Sequence, residues 1–195
     1  MCNRLLSHNC LYKDSNKIVI ISHDYLNSTK TNLSSSINDV TIVWNYLKRK
    51  LCFNENQIII FGEIDIDGKM IPWRKRYNKG IPPKNILYKS NIFYYTGHGY
   101  SDGKFDTYNI YFEKDVLYII DACYSYMWPE NGKGIITSSN GIENFISLST
   151  KRCSYFTNSL FEYLGNNNII NLKEWAKINN FKVDGNYIDI LSNNI

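Results

Sequence analysis

Five short, almost purely apolar runs constrain this chain more than any other feature: "KIVIIS" (17–22), "NQIIIFG" (56–62), "SNIFYYT" (90–96), "DVLYIID" (115–121) and "KGIITSS" (133–139). Runs of this length, rich in β-branched and aromatic residues and without polar alternation, read as strands buried on both faces. After the first, the period changes. Ile37, Val40, Val43, Trp44, Leu47 and Leu51 recur at helical spacing behind a serine-rich start. "CSYFTNSLFEYL" (153–164) and "NLKEWAKINN" (171–180) also read as helices, and "NYIDIL" (186–191) reads as a last strand. Residues 63–84, with their Gly-Lys, Pro-Trp and Pro-Pro pairs, read as loop or a short hairpin. Buried strands alternating with helices define an α/β fold: a mainly parallel sheet flanked by helices on both faces. With no internal repeat or linker, residues 17–195 read as a single domain behind a short N-terminal extension, residues 1–16.

Charge and cysteine usage exclude several functions. The net charge of +4 is mild, and the densest basic run, "WRKRYNK" (73–79), reads as a solvated loop. No nucleic-acid partner is expected. No stretch reaches the ~20 apolar residues of a membrane helix, so no membrane partner is expected either. Five cysteines (Cys2, Cys10, Cys52, Cys123, Cys153) form no CxxC pair. That pattern suits neither a zinc site nor a disulfide framework, and it fits reduced thiols in the cytoplasm.

Chemistry in a parallel sheet belongs beyond the carboxyl ends of its strands. There, "YYTGHG" sets His98 between Gly97 and Gly99, and "IIDACYS" sets Cys123 directly behind an apolar strand. Taken singly, a cysteine is usually a small buried hydrophobe and a histidine a satisfied one. A Gly-x-Gly turn can also hold phosphate, but this one lacks GxGxxG and a GK[ST] ending. Taken together, an imidazole and a thiol at two strand ends make a nucleophile and its base. Asp121, two positions before Cys123, would share its side of the strand and offer a carboxylate to a substrate cation.

These motifs resemble the caspase–metacaspase group of cysteine proteases, metacaspases most closely. "YYTGHG" is similar to that family's "SGHG", and "IIDACYS" to its "DSCHSG". "LSSSINDV" (33–40) resembles "LxGCxNDA", and "GIITSSNGIE … SYFTNSLFEYL" resembles the strand and "FT" helix of the family's second half. The resemblance runs from about residue 17 to 164 and implies a caspase-like three-layer sandwich. It implies His98 as general base and acid, Cys123 as nucleophile, and the N–H groups of Gly99 and Cys123 as oxyanion-hole donors. Asp39, Thr96 and Asp121 would line the S1 pocket, which receives the residue before the scissile bond (P1). Two carboxylates there imply cleavage of protein or peptide substrates after Arg or Lys. Asp39 reads equally well as a first-turn carboxylate favoured by the helix dipole.

The chain also departs from the family pattern. The His98-to-Cys123 interval is short, and the acidic cluster that binds activating calcium in the family is mostly missing, with Asp102, Asp106 and Glu130 left as scattered candidates. No cofactor is therefore expected, with activation by calcium as the alternative. Tyr126 stands where the family has a glycine three residues after the cysteine, and with Met127 and Trp128 behind it the trio could wall or block the groove. The alternative reading is a weak or inactive caspase-fold decoy, and a transpeptidase using the same dyad is a third. A monomer is expected, with edge-strand pairing near 186–191 as the other arrangement. Residues 74–79 are the expected site of any self-processing.

Overall fold

The computed structural model describes residues 17–26, 30, 32–80, 82, 90–102, 114–127, 132–141, 152–166 and 169–191. In chain order the strands are β1 (Lys17–His23), β2 (Ile58–Glu63), β3 (Tyr77–Lys79), β4 (Ser90–Thr96), β5 (Leu117–Asp121), β6 (Gly134–Thr137) and β7 (Lys182–Gly185). The described α-helices are α1 (Ser36–Arg49), α2 (Tyr155–Asn166), α3 (Leu172–Ile178) and α4 (Ile188–Leu191). All seven strands form one sheet in the order β3-β2-β1-β4-β5-β6-β7. Every pairing is parallel except β6 with β7. The fold is α/β with a mainly parallel sheet.

Each apolar run divides its side chains between two cores. Ile18, Ile20, Ile58, Ile60, Ile92, Tyr94, Leu117, Ile119 and Ile136 face one side. There they meet Val40, Val43, Trp44 and Leu47 of α1, Phe156 and Leu160 of α2, Leu172 and Ala176 of α3, and Ile190 and Leu191 of α4. Val19, Ile21, Phe93, Tyr95, Tyr118 and Ile120 form a second buried cluster on the other side. None of the described helices contributes a residue to this second cluster. Because both faces are apolar, a one-residue slip would not be penalised by polarity along the strand. The polar residues at the strand ends supply the discrimination. Ser22 lies beside Thr96, and Thr96 beside Asp121, so the apolar-to-polar boundary runs level across β1, β4 and β5.

Two sequence expectations need correction. Residues 77–79 form no hairpin: they pair in parallel with β2, Tyr77 beside Ile60 and Asn78 beside Phe61. The basic run is accordingly anchored. Trp73 is fully buried and donates its indole N–H to Thr41 Oγ1 at 2.9 Å. The Arg76 guanidinium donates to the carbonyls of Ile58 and Asn56. The expected last strand at 186–191 is also not a strand, since its end forms α4, and β7 lies just before it. Tyr187, Ile190 and Leu191 are the buried residues, spaced i, i+3, i+4, a helical period.

Candidate active site

The carboxyl ends of β4 and β5 are adjacent, and the chain turns off both into one crevice. The Gly97 N–H donates to the Asp121 carbonyl at 3.2 Å, continuing the pairing one residue past the strand. Leu33, Ser35, Thr96, Gly97, His98, Asp121, Cys123 and Ser154 line a cavity there of about 40 Å³. The separate motifs of His98 and Cys123 thus meet in one place, with Thr96 and Asp121 below them. Asp39 lies behind the wall, bonded to Ser154, which lines it.

Gly99 makes the close approach possible. A Cβ at that position would sit 2.0 Å from the Cys123 carbonyl oxygen and 3.1 Å from Ala122 Cβ. Backbone cannot swing aside as a side chain can. Gly99→Ala is therefore expected to push the two turns apart, costing ~2 kcal/mol and lowering Tm by about 4 to 8 °C in a thermal melt.

The turn carrying Cys123 is fastened by serines from the end of β6. Ser138 Oγ accepts from the Ala122 N–H and donates to the Ala122 carbonyl, both at 3.0 Å. Ser139 Oγ accepts from the Tyr126 N–H at 3.1 Å and lies 2.9 Å from Ser125 Oγ. Tyr124, directly after Cys123, adopts φ 55, uncommon for a bulky residue. Cys123 itself is half-buried and a free thiol. Tyr126 packs its ring against Gly141, and neither it nor Met127 lines the cavity. Trp128 lies outside the described residues.

The two carboxylates differ in their surroundings. Asp121 is 3 % exposed, and its Oδ2 accepts from Thr157 Oγ1 at 2.5 Å. Thr157 Oγ1 lies 2.6 Å from the Tyr94 hydroxyl. Because Thr157 has one proton and gives it to Asp121, Tyr94 is the donor in that second bond. Burial and the two nearby carboxylates hold the Tyr94 hydroxyl protonated, well above its ordinary range. Asp39 is fully buried; its Oδ1 accepts from the Ser154 N–H at 2.8 Å, the Ser35 side chain also bears on the carboxyl, and Oδ2 meets no donor among the described residues. Burial, then repulsion from Asp121, push Asp39 up to about 7. Asp39 does sit in the first turn of α1. Its complete burial beside Asp121 sets it apart from a solvated first-turn charge. Thr157→Val removes the Asp121 donor while keeping the shape, so a loss of ~2 kcal/mol is expected in denaturant titration.

Tyr25, Thr157 and the Ser138–Ser139 pair escaped the sequence reading. Tyr25 follows β1 in "SHDY", so the strand-end rule that found His98 and Cys123 would have found it too. Its ring centroid lies 4.4 Å from that of His98. Among the described residues, no three His, Cys, Asp or Glu side chains gather as a metal ion would require. Asp102 is exposed; Asp106 and Glu130 lie outside the described residues. No described helix is long and apolar enough to cross a membrane.

The architecture is that of an α/β protein with a thiol, an imidazole and the buried Asp121 carboxylate at its strand ends, and the buried Asp39 carboxylate in the first turn of α1. No family model and no curated protein matches the chain. Among solved structures, caspase-1 from Spodoptera frugiperda is similar at a TM-score of 0.49 and 13% identity, covering 86% of this chain and 79% of that one. Neither activity nor residue roles follow from a likeness that remote.

Proposed function

We propose that the chain is a cysteine endopeptidase of the metacaspase type that hydrolyses peptide bonds after Arg or Lys. The observation that carries this reading is the cavity shared by His98, Cys123 and Asp121, with the Asp39 Oδ2, which meets no donor among the described residues, buried close by. His98 takes the thiol proton and Cys123 Sγ attacks the scissile carbonyl carbon. The N–H groups of Gly99 and Cys123 stabilise the oxyanion. The C–N bond then breaks as His98 returns its proton to the leaving amine. Water, deprotonated by His98, releases the acid and restores the thiol.

The P1 cation would enter between Asp39 and Asp121. A guanidinium or ammonium there gives Asp39 Oδ2 the donor it lacks and relieves the repulsion between the carboxylates. Protein or peptide substrates are the partners this implies, and the reading requires no calcium or other cofactor.

A second reading, a catalytically silent binder, is favoured by the cavity volume of about 40 Å³, room for a few waters rather than an arginine side chain. Turnover of fluorogenic peptides carrying Arg, Lys, Asp or Asn at P1, with and without calcium, separates the two. Calcium-independent cleavage after Arg or Lys supports the protease. Cleavage after Asp or Asn keeps the protease and removes the pocket assignment. Silence from folded protein across all substrates leaves the binder.

A further inference from the structure

We infer that Tyr25 and Tyr95 are positioning residues for His98, clamping the histidine's own peptide groups from two neighbouring strands. The inference rests on the His98–Cys123 dyad proposed above. The Tyr25 hydroxyl accepts the His98 backbone N–H at 2.9 Å. The Tyr95 hydroxyl donates to the His98 carbonyl, also at 2.9 Å. The Tyr25 ring also lies against the imidazole, with the two planes tilted by 38°. Tyr25 lies just past the end of β1, and Tyr95 lies on β4 three residues before His98, so the histidine is tied both to its own strand and to the neighbouring one.

Several features of the chain accord with this clamp. Tyr25 is buried and adopts φ 60, a conformation that a bulky side chain keeps only when its surroundings over-determine it. Those surroundings are present. The Asp24 carboxylate accepts from the N–H groups of Leu26 and Asp65, and the Asp24 N–H donates to the Glu63 carbonyl. The Asp24 carbonyl accepts from the Leu33 N–H. The Lys30 ammonium lies 5.6 Å from the centroid of the Tyr25 ring and 5.5 Å from that of Tyr100, a cation–π distance for both.

Gly97 completes the case. A Cβ there would lie 2.5 Å from the Tyr95 hydroxyl and 2.9 Å from the Tyr25 hydroxyl. The glycine before His98 thus makes room for the two phenols, and the glycine after it for the Cys123 carbonyl. Each glycine of "TGHG" has its own steric duty, and both serve the placement of one histidine.

The test uses Tyr25→Phe and Tyr95→Phe, which keep the rings and remove the hydroxyl that meets the His98 backbone, with His98→Ala as reference. Two readouts are taken: kcat and KM on an Arg peptide, and the rate at which iodoacetamide alkylates Cys123 at pH 7, followed by mass spectrometry of the Cys123 peptide. Each Phe variant is expected to lose about tenfold in kcat with KM within about twofold, the pattern of a misplaced reacting group. Cys123 alkylation should fall between wild type and His98→Ala. Phe variants matching wild type while His98→Ala is slow would overturn the clamp and keep the dyad. Unchanged alkylation in His98→Ala would overturn the dyad and this inference with it. A lower Tm with unchanged kcat would reduce the tyrosines to packing and overturn the clamp. The two variants break the clamp independently, so Tyr95→Phe decides the matter if Tyr25→Phe does not fold.

Discussion

Cys123→Ala is expected to abolish turnover of Arg and Lys peptides, a loss of at least ~10⁴-fold in kcat, while leaving the fold in place. The chemistry requires the first half of this result. Without Sγ there is no atom to form the acyl-enzyme, and the water that replaces it is not held by the site. The second half follows from the surroundings. Cys123 is half-buried, and the turn that carries it is held through its neighbours' backbone by Ser138 and Ser139. Removing one sulfur leaves all of those bonds intact, so Tm should move by no more than a surface substitution moves it. His98→Ala should lose activity to a comparable extent, because a dyad acts as a unit and its losses do not add. Peptide turnover and thermal melts on both variants check the pair. Hydrolysis persisting in folded Cys123→Ala would remove the proposed nucleophile.

What could be read from the sequence follows from where the information resides. Buried parallel strands write themselves as apolar runs, so β1, β2, β4, β5 and β6 were legible, as was the position of His98 and Cys123 at two strand ends. Strand order was not legible, and the adjacency of β4 and β5 brings those residues together. β3 escaped because it spans three residues, two of them paired, with no apolar run to mark it. Residues 186–191 misled because a six-residue apolar segment fits either period. The deciding fact is that Tyr187, Ile190 and Leu191 are the buried ones, which only packing reveals. In the site, the residues with reactive side chains stood out. Of those that hold them, Tyr25 stands at a strand end where the same rule points, whereas Thr157, Ser138 and Ser139 look like ordinary helix and loop residues, since hydrogen bonds between distant segments leave no local pattern.

Asp39→Asn is expected to make the empty protein more stable at neutral pH and a poorer enzyme for basic residues. Folding raises the Asp39 carboxyl from 3.8 to about 7. Between those values the folded chain holds a proton that the unfolded chain has released, so this group's contribution to stability falls as pH rises. Asparagine removes that penalty, keeps an acceptor for the Ser154 N–H, and turns an amide toward Asp121 where a second carboxylate stood. A gain of ~2 kcal/mol at pH 7.5 is expected. His23 acts in the opposite sense. Burial, with Lys30 assisting, lowers it from 6.5 to about 4, so the unfolded chain holds the extra proton and stability rises with pH across that interval. In the wild type the two slopes offset each other. In Asp39→Asn the His23 slope stands alone, and stability should climb visibly from pH 4 to 6.5 in denaturant titrations. Catalysis moves the other way. A P1 cation binds best when both carboxylates are ionised, so wild-type kcat/KM on Arg peptides should rise with pH through about 7 as Asp39 gives up its proton. The variant should lose this limb and about 10² to 10³-fold in kcat/KM on Arg, as when one partner of a buried charge pair is truncated, while a citrulline peptide loses far less. Equal losses on Arg and citrulline, or a variant less stable at pH 7.5, would show that Asp39 holds the fold rather than the substrate.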